Sequence, residues 1–123
     1  MTKSKRIAYW IATVWLALGM TSTAAVQLAH AVSETEMMEH LGFPAYLLTI
    51  IGLAKVLGVI AVLIPRTPIL KEWAYAGFFF LMTGAVWAHL EKADTAKDLF
   101  GPLLLLVLTL SSWALRPASR KTA

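Results

Sequence analysis

Cysteine is absent from this 123-residue chain. Without a thiolate there is no disulfide, no cysteine-ligated zinc or iron–sulfur cluster, and no thiol relay of electrons through the chain itself. Charge is scarce too: 15% of residues are Asp, Glu, Lys or Arg, against about 25% in ordinary soluble domains. Proline occurs at five positions, all toward the ends of apolar blocks. These shortages argue against a soluble enzyme, a disordered protein and a collagen-like repeat. What is plentiful is apolar side chain, 59% of residues.

The apolar residues form four blocks, at about residues 7–29, 45–64, 70–90 and 99–115, with short basic tails at 1–6 and 116–123. A helix crossing a bilayer needs roughly 20 mostly apolar residues, so almost nothing remains for a separate soluble domain. The expected architecture is all-α: one membrane domain, a four-helix transmembrane bundle. Pro44 opens the second block near its first turn, Pro65 and Pro68 punctuate the turn to the third, Pro102 falls in the first turn of the fourth, and Pro117 stops it. Proline is tolerated where an N–H has no partner to lose.

The formal charge of +4 does not point to nucleic acid, because of where the cations lie. Lys3, Lys5, Arg6, Arg66, Lys71, Arg116, Arg120 and Lys121 fall on one side of the four blocks. Lys92 and Lys97 fall on the other, where the first loop carries Glu34, Glu36 and Glu39 instead. The positive-inside rule then puts both termini in the cytoplasm (N-in/C-in), with loops 31–44 and 91–98 outside. The first block has a rival reading: Lys3 to Arg6, an apolar run and then Ala29-His30-Ala31 resemble a cleavable secretory signal. Its apolar run, with Tyr9, Trp10 and Trp15, exceeds the usual 7–15 residues of such signals. The mass of the purified protein decides between them.

Lys55 stands ten positions into the second block, near the expected bilayer midplane, with no polar neighbour in its flanks. A lysine there costs about 2.5–3.5 kcal/mol on insertion scales, so it is buried and paired, or lines a wet cavity. Helical side chains lean toward the N-terminus of their own helix, which points Lys55 outward. Thr23, Gln27 and His30 make a polar stripe at the outer end of the first helix, and His89 and Glu91 stand at the outer end of the third. These six residues define a candidate polar pocket opening outward. Gly52 and Gly58 bracket Lys55 and would let a neighbouring helix approach closely. Gly77 and Gly84 suggest a second close-packed face. His30, His40 and His89 share no helix face and lack His-x-x-x-His spacing, so metal or haem ligation is not expected. The five Trp residues read mainly as interfacial anchors, and Phe78-Phe79-Phe80 as lipid-facing and core packing.

Leu41-Gly42-Phe43-Pro44-x-Tyr46, Gly52-x-x-Lys55-x-x-Gly58 and Ile64-Pro65 together resemble the DoxX-like family of small bacterial membrane proteins. Lys71-Glu72-Trp73-Ala74-Tyr75-Ala76-Gly77-x-x-Phe80, Gly84-Ala85, His89 and Leu115-Arg116-Pro117 extend the likeness from about Tyr9 to Pro117. The resemblance implies a multi-pass protein of the bacterial inner membrane. That family is named from a subunit of a thiosulfate:quinone oxidoreductase. Some relatives look like partners in membrane redox or stress-response complexes, and a distant eukaryotic branch resembles receptor-assembly chaperones. No catalytic residue carries over.

Three expectations follow. One is a non-catalytic subunit or scaffold of a membrane complex, quinone-linked through a partner protein. Another is small-molecule or proton binding or transport through the Lys55 pocket, with a homo-oligomer needed for transport. The third is an enzyme acting on a quinone or lipid, for which no nucleophile, metal cluster or phosphate loop speaks. No cofactor is evident, though a quinone or lipid would suit the pocket, and the bilayer itself is the first partner.

Overall fold

The computed structural model describes residues 2–65 and 67–117. Arg66, Arg120 and Lys121, three of the eight cations counted on the basic side, lie outside the described residues. Five helices form and no strand among the described residues: α1 (Lys3–Leu28), α2 (Val32–Leu41), α3 (Leu47–Leu63), α4 (Pro68–Glu91) and α5 (Ala96–Leu115).

Local chemistry sets the ends. The Thr2 hydroxyl accepts from the Lys5 N–H at 3.2 Å, satisfying one of the free donors of the first turn of α1. The last turn of α1 closes in a Schellman arrangement, with His30 N–H donating to Gln27 C=O and Ala31 N–H to Val26 C=O. α4 ends in the same way, with Ala93 N–H bonded to Leu90 C=O and Asp94 N–H to His89 C=O. Both closures put a residue with a side chain at positive φ, His30 at 51° and Ala93 at 53°. Pro68 takes the first position of α4, where its missing N–H does no harm.

Two expectations about local structure change, and Lys71, counted only for its charge, proves to be buried. The first loop is not a loop: ten of its residues form α2. Met37, Met38 and Leu41 share one face, Glu34 suits the positive end of the helix, and Gly42 at φ 87° releases the chain. Next, α5 begins at Ala96, earlier than the apolar block, so Pro102 lies inside the helix and not in its first turn. Its ring nitrogen cannot donate to the Asp98 carbonyl one turn back. Finally, Lys71 is a helical residue, wholly buried. Its ammonium donates to the Ala61 carbonyl at 2.9 Å, to the Ile64 carbonyl and to the Thr67 hydroxyl at 2.9 Å. A cation here offsets the negative end of α3 and satisfies its free carbonyls.

The four long helices contact in cyclic order: α1 touches α3 and α5, and α4 touches α3 and α5. Contacts at the ends make successive long helices antiparallel. His30, just past α1, bonds Thr49 in the first turn of α3 at 2.8 Å. At the opposite end Arg116, just past α5, pairs with Glu72 in the second turn of α4 at 2.8 Å. Glu72 also accepts from the Trp113 indole at 3.0 Å. α2 lies at the His30 end and touches α3.

Between the helices the core is apolar, built on Leu16, Met20, Val62, Tyr75, Phe78 and Leu105. Polar groups are buried with it. The Ser112 hydroxyl bonds Thr13 at 2.6 Å and Tyr75 at 2.7 Å, stitching α1, α4 and α5 together. The outward faces carry Trp15, Leu57, Ile60, Phe80, Val107 and many other large apolar side chains. So many large apolar side chains on the exterior depart from the soluble pattern, in which exposed apolar patches stay small. α1 and α5 are each long and apolar enough to cross a membrane; α3 is apolar but has 17 residues.

Gly52 and Gly58 do what their positions suggest. A Cβ on Gly52 would stand 2.7 Å from Leu28 Cγ of α1, and one on Gly58 2.5 Å from the Phe78 ring of α4. The expected second face at Gly77 and Gly84 is absent: a Cβ at either meets nothing within 4 Å. The close approach on the other side is made by Gly19, where a Cβ would lie 2.7 Å from Leu105 of α5.

Candidate functional site

Lys55 is 3% exposed, on the face of α3 that also carries Gly52 and Gly58. Gly52 draws α1 close, which brings Thr23 within reach. The ammonium donates to the Thr23 hydroxyl at 2.9 Å. That hydroxyl in turn donates to α1's own carbonyls, Gly19 at 3.0 Å and Met20 at 3.1 Å. An ammonium has three donors, and Thr23 uses one. Among the described residues no carboxylate forms an ion pair with it.

Lys55 opens into a cavity of about 600 Å³ at the α2 end of the helices. Thr23 and Gln27 of α1, Lys55 with Leu47 and Ile51 of α3, and His89 of α4 line it. Phe80, Leu81, Gly84, Ala85 and Ala88 of α4 give an apolar wall, and Leu105 of α5 another. α2 roofs it with Glu34, Met37, Met38 and Leu41, and Lys97 and Asp98 of α5 stand at its exposed margin. The Gln27 side-chain oxygen is buried and has no hydrogen-bond partner among the described residues.

Of the six residues expected to share a pocket, the cavity gathers Thr23, Gln27, Lys55 and His89. His30 is not among them. Its positive φ swings the side chain across to Thr49, where it is largely exposed. Glu91 is exposed, accepts from the Trp87 indole at 3.1 Å, and lines a neighbouring cleft, not the Lys55 cavity. The expectation for these two fails because helix α1 ends at Leu28 and turns, and because Glu91 lies on a different face of α4 from His89.

Four polar lining or supporting groups were not foreseen: Glu34, Lys97, Asp98 and Asp94. Asp94 lies just beyond α4 and bridges two histidines. His89 Nδ1 is 2.6 Å from one of its oxygens, and His40 Nε2 of α2 is 2.7 Å from the other. A carboxylate only accepts, so each histidine presents N–H to it. The His89 bond first, then the His40 bond, holds the Asp94 carboxyl below the usual carboxylate range. The bridge fastens the α2 roof to α4 and fixes the ring of His89 against the cavity. The signal in the sequence was slight. Asp94 lies in the third loop, and nothing in its spacing from His40 announces contact.

Chemically, the cavity offers a buried cation with donors to spare, an unpartnered amide oxygen, a polar margin and apolar walls. Among the described residues no group of three His, Asp or Glu side chains is placed so that it could hold a metal ion. A family model described as DoxX-like matches residues 11–112. Neither a curated protein nor a solved structure matches the chain.

Proposed function

The chain belongs to the DoxX-like family, and on that premise we propose that it is an integral membrane protein that binds a small amphipathic molecule in the Lys55 cavity. In this reading the four long helices form a transmembrane bundle in the bacterial inner membrane. Both termini lie in the cytoplasm, and the α2 roof lies at the outer surface. The apolar exterior supports the bilayer setting, and the spread of described cations, Lys3, Lys5, Arg6 and Arg116 at the end remote from α2, supports the orientation.

The observation that carries the binding reading is the buried ammonium of Lys55, incompletely bonded and facing empty volume. Burying a cation is costly, and a cation that served packing alone would be expected to find its full set of acceptors, as Lys71 does. A scaffold for a membrane redox partner, which the family resemblance implies, requires no such cavity. The cavity therefore moves the weight from scaffold to binding.

Two experiments test this. The cysteine-free sequence makes single-cysteine labelling direct. In intact spheroplasts, Glu36→Cys and Thr95→Cys should react with a membrane-impermeant maleimide, while Thr2→Cys and Thr67→Cys react only after lysis. Labelling of Thr67→Cys from outside would reverse the orientation. Native mass spectrometry of gently solubilised protein should carry an adduct that Lys55→Met lacks. A wild-type protein that retains nothing from a total lipid extract ends the binding reading.

A further inference from the structure

The cavity's chemistry narrows the ligand class. Lys55 has two donors left after Thr23. Gln27, one helical turn along α1 from Thr23, presents a buried amide oxygen without a partner among the described residues. Turning that amide over puts its NH2 at the same point. The inner part of the cavity then supplies hydrogen-bond donors and one positive charge, the complement of an anionic oxygen head.

The margin limits the charge on that head. Lys97 and Asp98 stand there, and Glu34 hangs from the roof beside them, two carboxylates to one amine. With Lys55 the four charged groups sum to zero, so each further negative charge on the head is opposed by Glu34 and Asp98, and a head with one charge is favoured over a head with two. The walls give the rest of the ligand. A second cleft, of about 450 Å³ and mostly apolar with Glu91 and Lys92 at one side, shares Leu41, Phe43, Phe80, Gly84 and Ala88 with the Lys55 cavity. The two spaces therefore adjoin along α4. Gly84 lines both, with nothing within 4 Å of where a Cβ would project. The cleft lies beside Phe80 and Trp87, both strongly exposed on the outward face of α4, so it opens sideways, onto the apolar surroundings of the bundle.

We infer that the cavity binds a long-chain monocarboxylate, its carboxylate held by Lys55 and the Gln27 amide and its single alkyl chain leaving past Gly84 and Phe80. This rests on the binding reading above and specifies its ligand. The anion enters from the bilayer through the side cleft, and each methylene that stays in apolar contact adds nothing to the cost of transfer. Discrimination then comes from the head, where a neutral chain leaves Lys55 unpaired.

The test uses the full chain in phosphatidylcholine nanodiscs, with photoactivatable palmitate and photoactivatable hexadecanol as matched probes. Palmitate should label peptides containing Leu41 and Phe80 saturably, and unlabelled palmitate should compete. Lys55→Met should lower that labelling about 10- to 100-fold, the loss of a charge-assisted bond. Gly84→Leu should abolish it while leaving the melting temperature of the protein unchanged or higher, because it fills open space. Equal labelling by hexadecanol, or undiminished palmitate labelling in Lys55→Met, overturns the carboxylate while leaving the cavity as a binding site. Displacement by lysophosphatidic acid at lower concentration than by palmitate overturns it in favour of a phosphate head. If neither probe labels the wild-type cavity, the binding reading falls and this inference with it.

Discussion

The two buried lysines should respond in opposite directions to one substitution. In Lys71→Met the ammonium leaves three acceptors behind: the carbonyls of Ala61 and Ile64 and the hydroxyl of Thr67. The carbonyls belong to the last turn of α3, where no further helical N–H follows to replace the lost donor. An orphaned buried carbonyl costs about 1–3 kcal/mol, and the favourable charge at the helix terminus is lost as well, about 0.3–1 kcal/mol. Against this stands the desolvation cost no longer borne by the cation. The expected net loss is about 3 kcal/mol. In Lys55→Met only one bond is broken, and its partner, Thr23, keeps the carbonyls of Gly19 and Met20 as acceptors. No buried group is stranded, and a cation that costs about 2.5–3.5 kcal/mol within a bilayer is removed. Here the expected outcome is a gain of about 1–2 kcal/mol.

Equilibrium unfolding in mixed micelles, followed by far-ultraviolet circular dichroism, measures both variants against the parent. Equal losses in the two would mean that Lys55 is a structural cation like Lys71, and the contrast drawn between a satisfied and an open ammonium would be wrong. A neutral Lys71→Met would remove the α3 terminus as the reason for burying that lysine.

Three further outcomes follow from particular contacts. Gly58→Ala should destabilise by about 1–3 kcal/mol through overpacking, because its Cβ would stand 2.5 Å from the Phe78 ring. Gly84→Ala, with open space around it, should gain up to about 1 kcal/mol of helix propensity; the same unfolding titration compares the pair. Ala93→Gly should raise stability by about 0.5–1 kcal/mol, since Ala93 holds φ 53° and glycine takes that region without the Cβ penalty; a lowered midpoint would refute the strain. For Asp94, a carboxyl held below its ordinary 3.8 contributes stability that is complete above that value and is lost as pH falls through the lowered one. Melting temperatures should therefore fall as pH drops below about 4, and fall less steeply in Asp94→Asn.

How much of this was legible in the sequence depends on the length scale of the signal. Blocks of twenty apolar residues survive averaging, so the long helices emerge within a few residues of their final bounds. α2 does not survive it: Met37, Met38 and Leu41 are three apolar positions among acids, and they become a helix face because a cavity lies beneath them. Lys55 was conspicuous because a charge amid apolar residues has no local excuse. Lys71 was not, because at a block edge it passes for a topological marker; only the fold brings the end of α3 onto it. The same logic separates the glycines. Spacing identified Gly52 and Gly58 as close contacts and made Gly77 and Gly84 look alike, yet a glycine can be required by what touches it or by what must stay empty. At Gly84 it is emptiness, since that residue lines both cavities and open space lies where a Cβ would project. Spacing cannot tell those cases apart, because both demand the absence of a side chain, and only the position of the neighbouring helix says which demand is made.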